Sequence, residues 1–119
     1  MSKKSITRKL DKICSLITRS VGKCERCGSK KNLQCCHIFS RTYRSTRFDL
    51  DNLICMCASC HFWSHKNPTL FTDWVYETRK EKYETLKEKF REITKLTEKD
   101  LEDKYKILKE IYESKNSVL

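Results

Sequence analysis

At 119 residues the chain is one small domain with limited apolar surface to bury, and its 26 Lys and Arg against 16 Asp and Glu give a net charge of +10. No stretch approaches the roughly 18 apolar residues needed to cross a bilayer, and 2 Gly with 1 Pro leave little room for flexible linkers. Eight cysteines would suit a secreted disulfide framework, but only the polar run Ser2, Lys3, Lys4, Ser5 follows Met1, so a reduced, metal-bound protein of the cytoplasm is expected.

In chain order, Ile6, Leu10, Ile13, Ile17 and Val21 recur at helical spacing and predict an amphipathic helix over about 5–20, stopped by Gly22. Its apolar stripe reads as packing and its Lys and Arg face as a phosphate surface. Cys24-Glu25-Arg26-Cys27-Gly28 has the form of a zinc knuckle, the glycine letting the backbone fold back so that both sulfurs reach one ion. Leu33 to Ile38 predicts a strand, 39–49 a polar loop carrying arginines, and Leu50 to Met56 a second strand. After the second knuckle, Cys57-Ala58-Ser59-Cys60, a helix starting near Ala58 or Ser59 carries His61 and His65 on one face, four apart, where they can grip one metal.

Pro68 interrupts. Phe71, Trp74, Val75, Thr78, Tyr83, Leu86, Phe90 and Ile93 then predict a long helix to about 95, and Thr97 with Asp100 resembles a capping box with Asp where Glu or Gln is usual. Leu101, Tyr105, Leu108 and Tyr112 form the last stripe, and every aromatic of these two helices reads as core. The pair is expected to be scaffold or a homodimer surface. Three segments result: a basic amphipathic helix (1–22), a zinc-knuckle core (23–66) and a helical extension (67–119).

Charge follows this division. Residues 1–66 hold 14 basic and 4 acidic side chains, the entire excess, whereas 67–96 hold 7 and 6 and 97–119 hold 5 and 6. A field confined to one part attracts polyanions, and DNA is the expected partner. An anionic membrane competes weakly, because no basic helix carries bulky aromatics on its apolar side. Seven cysteines crowd residues 24–60 where one zinc needs four; Cys24, Cys27, Cys57 and Cys60 are chosen for their paired spacing, Cys55 and Cys14 read as small buried residues, and Cys35 stays undecided.

The ordered set Cys24, Cys27, His37, Asn52, Cys57, Cys60, His61 and His65 resembles the HNH endonucleases, whose fold is a two-stranded ribbon and a helix gripping one divalent ion. His37 precedes Asn52 by 15 positions, and His61 and His65 follow it by 9 and 13. Leu33 to Arg41, with Asp51-Asn52-Leu53, is similar to phage recombination endonucleases of the NinG or Rap type. The resemblance implies a small α+β fold: a zinc-stapled ββα-metal core flanked by one N-terminal and two C-terminal helices. It implies hydrolysis of DNA phosphodiesters, duplex or branched, with His37 as the base, His61 and His65 on a catalytic Mg2+, Mn2+, Ni2+ or Zn2+, and Asn52 tying the loop that aims His37. Arg41, Arg44 and Arg47 are candidate phosphate contacts, Arg41 first among them.

One position departs from the family. A metal ligand, Asp or His, commonly stands directly before the catalytic histidine, and here it is Cys36. Either this soft thiolate coordinates or it is a passive neighbour and water completes a two-histidine site. Two other classes compete with the nuclease: a noncatalytic zinc module that binds nucleic acid, and an interaction adaptor built on the C-terminal helices.

Overall fold

The first apolar stripe forms a helix as its spacing requires, and its burial organises half of the structure. In the computed structural model, which describes residues 2–116, α1 spans Lys3–Arg19. Ser2 caps it by accepting from the Ser5 backbone N–H at 3.2 Å, and Gly22 at φ +84° ends the turn that follows. Ile6, Leu10, Ile13 and Ile17 are buried against Leu101 and Leu108 of α5 (Glu98–Asn116), the last helix. Between them run β1 (Leu33–His37), α2 (Arg44–Arg47), β2 (Leu53–Cys57), α3 (Ala58–Lys66) and α4 (Pro68–Lys89).

β1 and β2 pair antiparallel, Leu33 opposite Cys57 and His37 opposite Leu53, and α3 starts at the residue after β2. All five residues of β2 are buried, because the ribbon is covered on both faces. Leu53 belongs to the α1 and α5 cluster, whereas Ile54 and Met56 pack with Cys36, Phe71 and Val75 of the α3 and α4 side. Pro68 opens α4 at its first turn, where its missing N–H costs nothing. The capping box is present in its Asp form: Thr97 N donates to Asp100 at 2.9 Å and Asp100 N to Thr97 Oγ1 at 3.1 Å.

Several boundaries differ from those expected. The polar loop contains α2, held because the Thr46 and Arg47 N–H groups both donate to Tyr43 O. Leu50–Asn52 is a 3-10 turn rather than strand, since the Asp49 side chain accepts from Asp51 N and its carbonyl from Asn52 N. Val21 lies beyond α1, half exposed. α4 leaves helical geometry at Arg79, whose guanidinium reaches Glu25 at 3.0 Å, and ends at Lys89, where Phe90 stacks on Phe39 with ring centroids 4.3 Å apart. Ile93 is therefore no part of the stripe and is 95 % exposed; Tyr76 also faces solvent.

The α1 and α5 seam should dominate the stability of the N-terminal half. Leu108→Ala leaves a void against Leu10 and Ile13 and should cost about 2–5 kcal/mol, with an unchanged denaturant slope, measured by urea unfolding. A loss below about 1 kcal/mol would show that α5 does not dock in solution.

Candidate active site and metal centre

Two tight turns separated by some 30 residues bring four sulfurs together. The ligand atoms of Cys24, Cys27, Cys57 and Cys60 all lie within 4.8 Å of one another, and Cys27 and Cys57 are 3.6 Å apart. Each knuckle aims a backbone N–H at its own first sulfur, Cys27 N at Cys24 (3.5 Å) and Cys60 N at Cys57 (3.4 Å). Gly28 at φ +81° supplies the backward fold. Tetrahedral zinc with bonds of about 2.3 Å needs sulfurs roughly 3.8 Å apart, so donor set and spacing fit a structural zinc site. Without a cation the four cannot all ionise. Burial raises Cys24, but backbone hydrogen bonds from Cys27, Cys57 and Arg26 outweigh it and bring it down, while burial and the adjoining sulfurs push Cys60 up.

The knuckles are tied to the ribbon. Glu25 N donates to Cys55 O at 2.8 Å, and the Glu25 carboxylate accepts from Cys55 N at 2.6 Å and from Arg79 at 3.0 Å. Arg26 Nη1 donates to Cys60 Sγ at 3.4 Å, its guanidinium carbon 3.5 Å from the Trp63 ring centre. This cation offsets part of the charge that four thiolates would carry. Cys14 and Cys55 are buried and outside the four-sulfur group, as their sequence context suggested, and Cys35 is partly buried against the α1 side.

Immediately after Cys60, α3 delivers His61 and His65. Their Nε2 atoms face each other at 3.2 Å, close to the separation of two imidazoles sharing one ion at roughly 2.0–2.1 Å. His61 Nδ1 is 2.7 Å from Gln34 Oε1, an acceptor, a contact that favours the tautomer with the proton on Nδ1 and leaves Nε2 as the nitrogen facing His65. Burial and the neighbouring His65 lower the His61 pKa.

His37, the last residue of β1, lines a groove of about 380 Å³ with Gln34, Arg41 and, from α1, Asp11, Ser15 and Arg19. Burial, and then Arg41, lower its pKa from 6.5 to about 4, so its ring is neutral at physiological pH. Asn52 is fully buried and locks the chain just beyond it: its side chain accepts from Phe39 N at 2.8 Å and donates to Phe39 O at 3.0 Å, while its carbonyl accepts from Ile38 N. Cys36 points the other way. Its thiol is 1 % exposed, 3.7 Å from Ser64 Oγ, and burial raises its pKa to about 11. Among the described residues, the four-cysteine group alone brings three or more metal-ligating atoms together, so Cys36 does not join the histidine pair.

The arginines divide by partner. Arg47 forks onto Asp11 at 3.1 and 2.7 Å and is mostly covered; Arg41 meets the same carboxylate at 2.8 Å but stays exposed. Burial alone would raise Asp11, and the two guanidiniums more than reverse it. Arg44 is exposed on α2. Asp11, Gln34 and Arg26 were not singled out by sequence, because each acts on a residue far along the chain. Comparison of the chain with family models, curated proteins and solved structures gives no match.

Were the histidine pair to take a metal, Gln34 should govern how well it is held. In zinc-loaded protein, Gln34→Ala should weaken Ni2+ or Co2+ binding by about 10-fold or more, read by titration calorimetry, with His65→Ala as the null control. Unchanged affinity would mean that the Gln34 contact does not orient His61.

Proposed function

We propose that the protein is a metal-dependent endonuclease of the HNH type that hydrolyses DNA phosphodiester bonds. The observation that carries this reading is the presence, on one strand, strand and helix unit, of a groove-lining neutral His37 and of two imidazole nitrogens 3.2 Å apart on the adjoining helix, with His61 near enough to help lower the His37 pKa. A four-sulfur zinc site has no use for these three histidines, which are all the histidines in the chain.

Each residue then has a task. His37, unprotonated, accepts the proton of the attacking water. Arg41, at the rim of the same groove, holds a phosphate oxygen; a bound phosphodiester also opposes its effect on His37 and moves the imidazole towards neutral pH. Arg44 is the second phosphate contact, and Arg47, largely committed to Asp11, braces the loop. Asn52 fixes the backbone that follows His37 and Gln34 orients His61. His61 and His65 would hold a divalent ion, which would supply positive charge for the phosphate and the leaving oxygen. Mn2+, Ni2+ or Zn2+ would suit two imidazoles better than Mg2+, and Cys36, turned towards Ser64, would not be among the ligands. The context suggested is phage DNA recombination or processing in a host cytoplasm. A single copy would nick one strand; cutting two requires a homodimer, for which the exposed outer faces of α4 and α5 remain, their buried stripes being used within the chain.

Purified protein should convert supercoiled plasmid to open-circle or linear DNA with one of Mg2+, Mn2+, Ni2+ or Zn2+ and not with chelator. His37→Ala should lose on the order of 100-fold or more of that activity, while Cys36→Ala retains a measurable part. Because His37 works as the neutral ring, activity should fall on the acid side, as pH approaches about 4 in the free enzyme. DNA binding without cleavage, on plasmid and on a four-way junction alike, would select the noncatalytic zinc module instead. Equal, total loss in both variants would make Cys36 a required ligand.

A further inference from the structure

The groove that holds His37 does not end at Arg41. A second groove, of about 360 Å³, adjoins it and shares Asp11 and Arg41; its other walls are Lys3, Lys4, Arg8, Arg44 and Arg47 with Thr7. Six cationic side chains thus face a single carboxylate, and that carboxylate is already committed to Arg41 and Arg47. Lys4, Arg8 and Arg44 form no ion pair among the described residues, and Lys3 is only within electrostatic reach of Asp100. Gathered like charges oppose the folded state unless an anion joins them. The first turn of α1 also lacks the acidic residue that its helix dipole favours, which adds to the positive field at this end.

We infer that α1 is the second wall of the active-site groove and that the Lys3, Lys4, Arg8 and Arg44 cluster is the track on which the backbone of duplex DNA leaves the site. This rests on the endonuclease reading and extends it from the scissile phosphate to the flanking ones. The 17 residues of α1 span about 26 Å at 1.5 Å per residue, enough for roughly seven or eight base pairs of duplex. Contacts of this kind position DNA without reading its sequence. The Asp11 fork ties α2 and the loop after His37 to α1, holding the two walls together.

The test compares wild type with the fourfold variant Lys3→Gln, Lys4→Gln, Arg8→Gln and Arg44→Gln, and with a control carrying Lys99→Gln, Lys106→Gln, Lys109→Gln and Lys115→Gln on α5. Anisotropy of a labelled 24-base-pair duplex is measured from 50 to 300 mM KCl without added divalent ion or chelator, alongside plasmid cleavage and a thermal melt. If the track is real, the slope of log K against log salt becomes shallower by about 3 to 4 units in the groove variant and by less than about one in the control, at unchanged folding. Equal slopes in wild type and a folded groove variant overturn the track, and wild-type cleavage would leave the nuclease reading standing. Conversely, a shallower slope in a protein that never cuts supports the track and removes the nuclease. Wild type that neither binds nor cuts removes both.

Discussion

The cluster of four sulfurs is the constraint on which the rest of the structure depends. It closes a loop from the first knuckle to the second and so fixes the end of the ribbon at which Leu33 faces Cys57. Cys57 ends β2, contributes a sulfur and accepts the Cys60 N–H at the N-terminus of α3, so one residue sets strand, metal site and helix start together. Because His61 is the residue after Cys60, the direction in which α3 leaves the cluster decides where the histidine pair points. In zinc-finger peptides the apparent metal contribution is about 10–16 kcal/mol, larger than the whole net stability of a typical domain. A zinc ion held by these four sulfurs would outweigh any single apolar contact in this small core.

Electrostatics supplies the second organising influence, and its sign is decided by one residue. Asp11 is an anion on the basic face of α1, and two arginines from the loop after β1 converge on it. Partly exposed pairs of this kind are worth little in stability. Their effect here is geometric: the loop carrying Arg41 is held against α1, and the groove that contains His37 acquires its two sides. Asn52 does the same from below with paired hydrogen bonds to Phe39, and no buried side-chain polar atom among the described residues lacks a partner.

Much of this was legible in the sequence where the information was local. The α1 stripe, both knuckles with Gly28, the α3 start and the Thr97 and Asp100 cap follow from spacings of three or four residues, and each is where those spacings put it. Choosing four cysteines from seven also succeeded, because paired turns are a local property. Illegible were the contacts between residues 27 to 36 apart, such as Gln34 with His61, Arg26 with Cys60 and Asp11 with Arg47, which leave no periodic trace. The same cause shortened α4: Phe90 is drawn to Phe39 and Tyr43 and Arg79 to Glu25, so a helical pattern that runs to Ile93 on paper stops earlier. Cys36 is the clearest case, since strand alternation buried it towards Ser64 while its neighbour His37 lines the open groove.

The sulfurs are not equivalent in their access to solvent. Cys24, Cys57 and Cys60 are buried, whereas Cys27 is exposed. Reagents that alkylate or oxidise the cluster would therefore reach Cys27 before the other three. Loss of that thiol would leave three sulfurs, one of them accepting from Arg26, and would weaken the tie between the first knuckle and the helix that carries His61 and His65. The durability of the four-sulfur cluster in an oxidising cell would thus be set by the rate at which a single thiol, that of Cys27, is reached.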